Sequence, residues 1–331
     1  MTKYRDYEAK PLFVERINSL IEDEKDKEEY WRIIRTRPRA SIRCNTLKIS
    51  PEDLKARLES KGWEIEQPFP DYKEIMILKS QLNPGELGKA IEHILGYYYV
   101  QEISSMLPVL ALKPSSQDIV LDLCASPGSK TTQMAASMGN AGTILANDKD
   151  IGRIAILQAN LERVGASNVI MARHDAVQLC LKLEKLGIRF DKILLDVPCS
   201  GEGNIRSNPK TLLTWNIRMI HSLSRLQKKI ISSAVNLLKE GGELVYSTCT
   251  QTPEENEENV NYLIEKFGMR VLATELPVKS RPGILEWAGK KFDKQVENCC
   301  RIYPQDNNTE GFFITKIKKL SDKIKSKKEL E

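Results

Sequence analysis

Two cysteines stand where an apolar run breaks into a polar loop. Cys199 lies in Asp196-Val197-Pro198-Cys199-Ser200-Gly201 after Ile193-Leu194-Leu195, and Cys249 ends Ser247-Thr248-Cys249 after Leu244-Val245-Tyr246. A thiol at the exit of a buried strand is held rigidly and still meets a substrate, as nucleophilic catalysis requires. Asp196 adds a carboxylate at the same strand end. The other five cysteines, Cys44, Cys124, Cys180, Cys299 and Cys300, bring the total to seven with no Cys-x-x-Cys pair. Neither a disulfide framework nor a zinc site is expected, and reduced thiols in a cytoplasm fit better. Cys44, Cys180, Cys299 and Cys300 read as small buried hydrophobes. His93, His174 and His221 lack ligand spacing, so no metal is expected.

The elements that must position these thiols begin at Ile119. Strand patterns at 119–123, 143–146, 169–171, 192–195, 243–246, 269–272 and 312–317 alternate with helical patterns at 130–137, 151–164, 176–186, 215–239 and 254–266. Such alternation predicts a mostly parallel sheet covered on both faces. The connection 273–310 is irregular, which allows the last strand to enter antiparallel.

In an open α/β sheet the ligand lies beyond the carboxyl ends of the strands. After the first strand comes Asp122-Leu123-Cys124-Ala125-Ser126-Pro127-Gly128-Ser129-Lys130-Thr131. It has neither the Gly-x-x-x-x-Gly-Lys-Ser/Thr nor the Gly-x-Gly-x-x-Gly spacing, which disfavours a nucleoside triphosphatase and a dinucleotide-dependent oxidoreductase. After the second strand, Asp148 stands where doubly wound folds hold a ribose, with Arg153 one turn into the next helix on the same edge. The third strand is followed by His174-Asp175-Ala176 and the fourth ends in Asp196. For Asp175 taken alone, helix capping is an equal reading. Four strand ends that each carry an acid or a tight turn are harder to explain by capping. They fit a cofactor with an adenine, a ribose diol and a cationic end but no pyrophosphate, which is the form of S-adenosylmethionine. The residues expected to hold it are Cys124, Ala125, Ser126, Pro127, Gly128, Ser129, Lys130, Asp148, Arg153, Asp175 and Asp196.

At 331 residues the chain can bury one large domain plus a smaller one. Hydrophobic content of 41% and charged content of 29% are those of a soluble globular protein. No apolar run reaches the ~18 residues of a membrane span. The start Met1-Thr2-Lys3-Tyr4 has no apolar signal core, so no membrane partner and a cytoplasmic location are expected. The first section is helical in pattern, with Leu12, Phe13, Ile17, Leu20 and Ile21 on one face, and ends at Pro38. A strand at 40–47, a helix capped by Ser50-Pro51-Glu52-Asp53, and strands at 63–66 and 75–78 make a small α/β module. Trp63, Trp215 and Trp287 read as core residues more readily than as base-stacking platforms.

Charge is uneven although the formal total is only +5. Arg32, Arg35, Arg37, Arg39, Arg43 and Lys48 form an acid-free run, and 203–239 forms a second with Arg206, Lys210, Arg218, Arg225, Lys228, Lys229 and Lys239. Both fit contact with a phosphate backbone, and both equally fit solvated helix faces. The lysine-rich tail beyond Leu320 has no core-forming pattern and reads as a frayed end.

These residues resemble the Nol/Nop/Sun group of RNA cytosine-5 methyltransferases. The resemblance rests on Gly96-Tyr97-Tyr98-Tyr99-Val100-Gln101-Glu102-Ile103-Ser104-Ser105-Met106, the loop 124–131, and 196–201 with Gly203. It extends to Ser247-Thr248-Cys249 followed by Pro253-Glu254-Glu255-Asn256-Glu257, and to Arg301-Ile302-Tyr303-Pro304 with Glu310-Gly311-Phe312-Phe313. Similarity at Arg43-Cys44-Asn45-Thr46-Leu47-Lys48 reaches into the small module. Two positions depart from the family: Ser129 replaces the second Gly of Pro-Gly-Gly-Lys-Thr, and Gln305 stands where His is frequent.

The resemblance implies a class I methyltransferase, an α/β Rossmann-like domain with a seven-stranded, mostly parallel sheet over 111–320. Before it come a helical segment, 1–40, and a small α/β RNA-binding module, 41–110; the basic tail is 321–331. It also implies transfer of a methyl group from S-adenosylmethionine to carbon 5 of cytosine in RNA; a compact chain with a short N-terminal module fits tRNA better than rRNA, and a monomer is expected. Residue chemistry leaves open which thiol attacks. DNA cytosine-5 methyltransferases use the Pro-Cys thiol, which would nominate Cys199. The closer resemblance implies that Cys249 attacks carbon 6 while Cys199 assists release; Asp196, beside Cys199, is then expected to face the base edge, with Lys130 orienting or neutralising that carboxylate. The target base must then be unpaired or flipped out, and the run 203–239 is a candidate cradle for its phosphates. The alternative is an RNA-binding or ribosome-assembly factor with this fold and no turnover.

Overall fold

The computed structural model describes residues 7–320; the basic tail expected over 321–331 lies outside them. Four strands form an antiparallel sheet near the start: β1 (Ser41–Cys44), β2 (Ile65–Glu66), β3 (Ile75–Leu78) and β4 (Tyr98–Val100), in the order β2-β3-β1-β4. The fourth strand escapes a pattern search because Tyr98 and Tyr99 are both buried, so its side chains do not alternate between core and water. The helix Pro51–Glu59 is capped as expected by Ser50, whose Oγ accepts the Asp53 N–H at 3.1 Å.

A larger sheet follows. Its strands are β5 (Ile119–Asp122), β6 (Thr143–Asp148), β7 (Val169–Arg173), β8 (Phe190–Asp196), β9 (Leu238–Thr248), β10 (Arg270–Leu272) and β11 (Arg281–Pro282). After a hairpin of β12 (Glu286–Trp287) and β13 (Lys290–Lys291) come β14 (Cys300–Ile302) and β15 (Phe312–Lys318). The order is β11-β14-β15-β9-β8-β5-β6-β7, with β10 beside β15. Strands β5 to β9 pair in parallel, and β15 enters antiparallel against β9. The seven expected strands are all present; β11 and β14, short pieces within 273–310, extend the sheet to nine.

Alternation along each strand builds two cores, because successive side chains point to opposite faces. Leu121, Ile193, Leu195, Leu244, Tyr246 and Phe313 face the helices Ala176–Lys185, Ile217–Val235 and Glu257–Phe267. Val120, Leu194, Val245 and Ile314 face the helices Ile103–Leu112 and Ser129–Ser137. The helix Ile103–Leu112 also packs Ile103 and Met106 on Ile75 and Ile77 of β3, which ties the two sheets together. An unbroken apolar run with Pro108 inside gives it no amphipathic period to read.

The N-terminal section is two helices, Pro11–Leu20 and Glu24–Ile33, rather than one face. Phe13, Ile17 and Ile21 are buried against Ile205, Leu212 and Trp215, whereas Leu12 is 43% exposed and Leu20 only half-buried. These helices therefore brace the segment after Cys199.

The chain leaves β5 toward β6 on one side, and leaves β8 toward β9 on the other. A crevice opens where adjacent strands diverge in this way. The loops after β5 and β8 are those that carry 124–128 and 197–201.

Candidate active site

Both thiols line one cleft of ≈ 730 Å³ at the carboxyl ends of β8 and β9, together with Lys130, Asp196, Glu310 and Phe312. The sulfurs of Cys199 and Cys249 lie 3.1 Å apart, and the Cys249 N–H donates to the Cys199 sulfur at 3.3 Å. The hydrogen bond between the thiols, with burial behind it, pushes the Cys199 thiol well above its ordinary range. Asp196 is fixed from two sides. Lys130 Nζ sits 2.7 Å from its Oδ2, and Ser247 Oγ donates to its Oδ1 at 2.9 Å. Lys130 also donates to Ser105 Oγ at 2.9 Å and lies 5.4 Å from the centre of the Phe312 ring.

The loop 124–130 wraps the carboxyl end of β5. Its Ser126–Pro127 bond is cis, and Gly128 takes φ +103°, where a Cβ would meet Leu157 at 2.8 Å. Only glycine fits that position. Arg153 reaches back to the loop, donating to Ser126 O at 2.5 Å and to Asp148 Oδ2 at 3.0 Å. Asp148 is buried beside that guanidinium. Asp175 is exposed and caps the helix Ala176–Lys185, accepting the Val177 and Gln178 N–H groups at 3.0 and 3.1 Å. The capping role is thus filled, at the carboxyl end of β7.

The donor set fits S-adenosylmethionine. Asp122, Asp148 and Asp196 surround Cys124, whose thiol is pushed up by burial and by the three carboxylates. Three acids grouped in this way suit a cationic ligand carrying a ribose diol.

Two family matches follow the same architecture. Residues 109–318 match the family described as 16S rRNA methyltransferase RsmB/F, and residues 10–103 match the N-terminal domain of 16S rRNA methyltransferase RsmF. The chain belongs to the RsmB/F family. It is an S-adenosylmethionine-dependent RNA cytosine-5 methyltransferase with a class I fold, as the Nol/Nop/Sun motifs imply. The tRNA (cytosine(49)-C(5))-methyltransferase of Pyrococcus abyssi is 44% identical over 296 residues, 89% of this chain and 92% of that protein. The ribosomal RNA small subunit methyltransferase F of Aliivibrio fischeri is 41% identical over 286 residues, 86% of this chain but 58% of that protein. Of solved structures, NSun6 from Pyrococcus horikoshii with SFG superposes with a TM-score of 0.81 at 27% identity, covering 95% of this chain and 99% of that one. A methyltransferase homolog from the same organism gives 0.78 at 32%, covering 94% and 100%.

Within the RsmB/F family the two departures of this chain acquire a physical reading. Ser129 is the first residue of the helix Ser129–Ser137 and is not among the residues with positive φ, so replacing glycine there strains nothing. Gln305 lies away from the cleft, donating to Asp26 Oδ1 at 3.0 Å inside an Asp26–Arg281–Asp306 cluster. That cluster ties the second N-terminal helix to the segment after β14.

Neither basic run is a continuous phosphate cradle. Arg43 is buried: its guanidinium donates to Gln101, to Ser129 O at 2.8 Å and to Thr132 Oγ1 at 2.9 Å, and burial lowers its pKa to about 10. Lys48 donates to Leu95 O and Arg163 O at 2.9 and 2.7 Å. Arg206 is buried against Thr36, Arg37, Asn308 and Thr309. Lys228 pairs with Glu258, and Lys239 pairs with Asp191 at the other end of the sheet. Lys210, Arg218, Arg225 and Lys229 remain exposed. Trp215 and Trp63 are core residues, and Trp287 is half-buried under Arg16. Cys44, Cys180, Cys299 and Cys300 are buried as expected.

Three buried acids escaped sequence reasoning. Asp122 ends β5 and accepts Thr131 Oγ1 at 2.7 Å; burial pushes its carboxyl up to about 7. Glu202 accepts Trp215 Nε1 at 2.6 Å, and Glu255 accepts the Ser200 N–H at 3.1 Å. Glu255 stands within Pro253-Glu254-Glu255-Asn256-Glu257, a stretch that carries the family resemblance without assigning the residue a role. Among the described residues no group of His, Cys, Asp and Glu could hold a metal ion, and no helix is long and apolar enough to cross a membrane.

Proposed function

We propose that this RsmB/F member methylates a cytosine of tRNA through a covalent cysteine adduct, as a monomer in the cytoplasm. The observation that carries the tRNA reading is likeness: the tRNA-directed relative from Pyrococcus abyssi is 44% identical over 89% of this chain, against 41% over 86% for the rRNA-directed relative from Aliivibrio fischeri. By that likeness, position 49 is the cytosine to examine first.

Carbon 5 of cytosine is a poor nucleophile until a group adds to carbon 6. The Cys249 thiolate adds there, electron density moves to carbon 5, and Asp196 meets the base edge to stabilise the charge that develops. S-adenosylmethionine, held by the loop 124–130 with Asp148, Arg153 and Asp196, and with Asp175 at the rim, supplies the methyl group. Loss of the carbon 5 proton then restores the ring double bond as the sulfur–carbon 6 bond breaks. Cys249 leaves as thiolate, a step that Cys199 assists from 3.1 Å away. Lys130, at 2.7 Å from Asp196, holds that carboxylate in place.

Labelled S-adenosylmethionine with transcripts of a full set of tRNAs and of 16S rRNA tests the reading. Label in 5-methylcytosine of tRNA supports it. Label in 16S rRNA alone would overturn the substrate, and RNA binding with no label would favour an assembly factor.

A further inference from the structure

The two thiols touch, but the groups behind them differ. Segment 249–256 folds back on segment 199–203. The Gly203 N–H donates to Cys249 O at 2.8 Å, and the hydroxyls of Ser200 and Thr250 lie 2.7 Å apart. Thr250 Oγ1 and the Gln251 N–H both reach Glu202 Oε2, at 3.1 and 3.2 Å. Glu255 closes this seam from behind Cys199. It is fully buried, and its carboxylate accepts the Ser200 N–H at 3.1 Å and Gln227 Nε2 at 2.7 Å. Among the described residues no lysine or arginine forms an ion pair with it.

We propose that Glu255 decides which of the two touching thiols gives up its proton first: it anchors Cys199 through the Ser200 N–H and, carrying no counterion, leaves Cys249 as the thiolate. This rests on the covalent reading above and gives its order of thiols a physical cause. A buried negative charge beside a thiol disfavours the thiolate, and Glu255 is one of the groups that hold the Cys199 proton on. Burial pushes the Glu255 carboxyl up to about 7, so it is ionised in the alkaline range where thiols titrate. The other titratable groups around Cys199 are placed differently. Tyr246 lies on β9 and Cys249 just past its end, the tyrosine O–H donating to Glu255 O at 2.5 Å. Glu202 lies on the Cys199 loop and is engaged by Trp215 and Thr250. Asp196 is neutralised by Lys130, and Glu310 lines the same cleft with its Oε1 on the Ser207 N–H. Among the described acids, only Glu255 bonds the Cys199-Ser200 step. Glu255 is thus a positioning residue acting through Cys199.

Iodoacetamide modification of the full chain, without RNA or cofactor, tests this at low conversion across a pH series. Trypsin separates the thiols, Cys199 on 193–206 and Cys249 on 240–266, so mass spectrometry reads each alone. In the unaltered protein Cys249 is expected to react at lower pH than Cys199. In Glu255→Gln the Cys199 midpoint should fall by about one unit, a roughly tenfold faster modification at fixed pH, while Cys249 moves less. Cys199 reacting first in the unaltered protein, an unmoved Cys199 midpoint in the variant, or equal acceleration of both thiols would each overturn the proposal. Should the variant not fold, the order in the unaltered protein decides alone. No RNA is present, so failure of covalent trapping on RNA would refute the catalytic reading separately.

Discussion

Lys130 carries the most chemistry per atom in the cleft. Its ammonium is almost enclosed, and it serves Asp196, Ser105 and the Phe312 ring at once. Lys130→Ala leaves Asp196 without its charge partner, and a charge-assisted hydrogen bond is worth about 1.5–3 kcal/mol. Methyl transfer should fall roughly 10- to 100-fold with RNA binding retained; unchanged turnover would remove Lys130 from the mechanism. At this scale the sequence was informative where local geometry suffices. Cys199, Cys249, Asp196 and the loop 124–130 sit at strand ends, and strand ends are visible as apolar runs. Glu202 and Glu255 were not legible, because their burial depends on Trp215, Gln227 and Ser200, residues far off or on another element. Arg43 and Arg206 misled for the same reason: an arginine in a basic run reads as surface until its distant carbonyl partners are known.

Two elements, the loops after β8 and β9, form the thiol pair, and they meet through backbone. A Cβ on Gly203 would stand 2.1 Å from Gly311 O and 2.9 Å from Cys249 O. Neither atom belongs to a side chain that can swing away. Gly203→Ala must therefore push Gly311, and with it the Cys249 loop, away from the Cys199 loop, at a cost of about 1–3 kcal/mol. Thermal unfolding should shift down by several degrees, with loss of methyl transfer; an unchanged Tm with full activity would contradict the packing described. The central strands were readable because β5, β8 and β9 are buried on both faces and run as apolar stretches. β4, β11 and β14 were not, since two or three residues pairing with a distant strand leave no period to detect.

The molecule packs three parts together, with the N-terminal helices bracing the segment after Cys199 and Arg43 joining the small sheet to the loop 124–130. It buries acids that titrate near neutrality. Burial pushes Asp122, Glu255 and Glu310 up to about 7, so the folded state holds their protons more tightly than the unfolded chain. Stability then falls as pH rises from the ordinary carboxylate range through about 7. Asp26, held low by its hydrogen bond with Arg281, acts oppositely, its contribution lost only in acid. His93, lowered by burial, also opposes the trend, against five acids that burial raises once Glu74 and Glu202 are included. Calorimetry should find a higher Tm near pH 5.5 than near pH 8, with a smaller difference in Glu255→Gln; a Tm that rises over this interval would contradict the burial of these acids. The most direct test uses Cys199→Ala and Cys249→Ala proteins incubated with S-adenosylmethionine and tRNA and resolved under denaturing conditions. The Cys199→Ala protein should accumulate a covalent complex with RNA and the Cys249→Ala protein should not; a complex formed by Cys249→Ala alone would contradict the assignment of the attacking thiol.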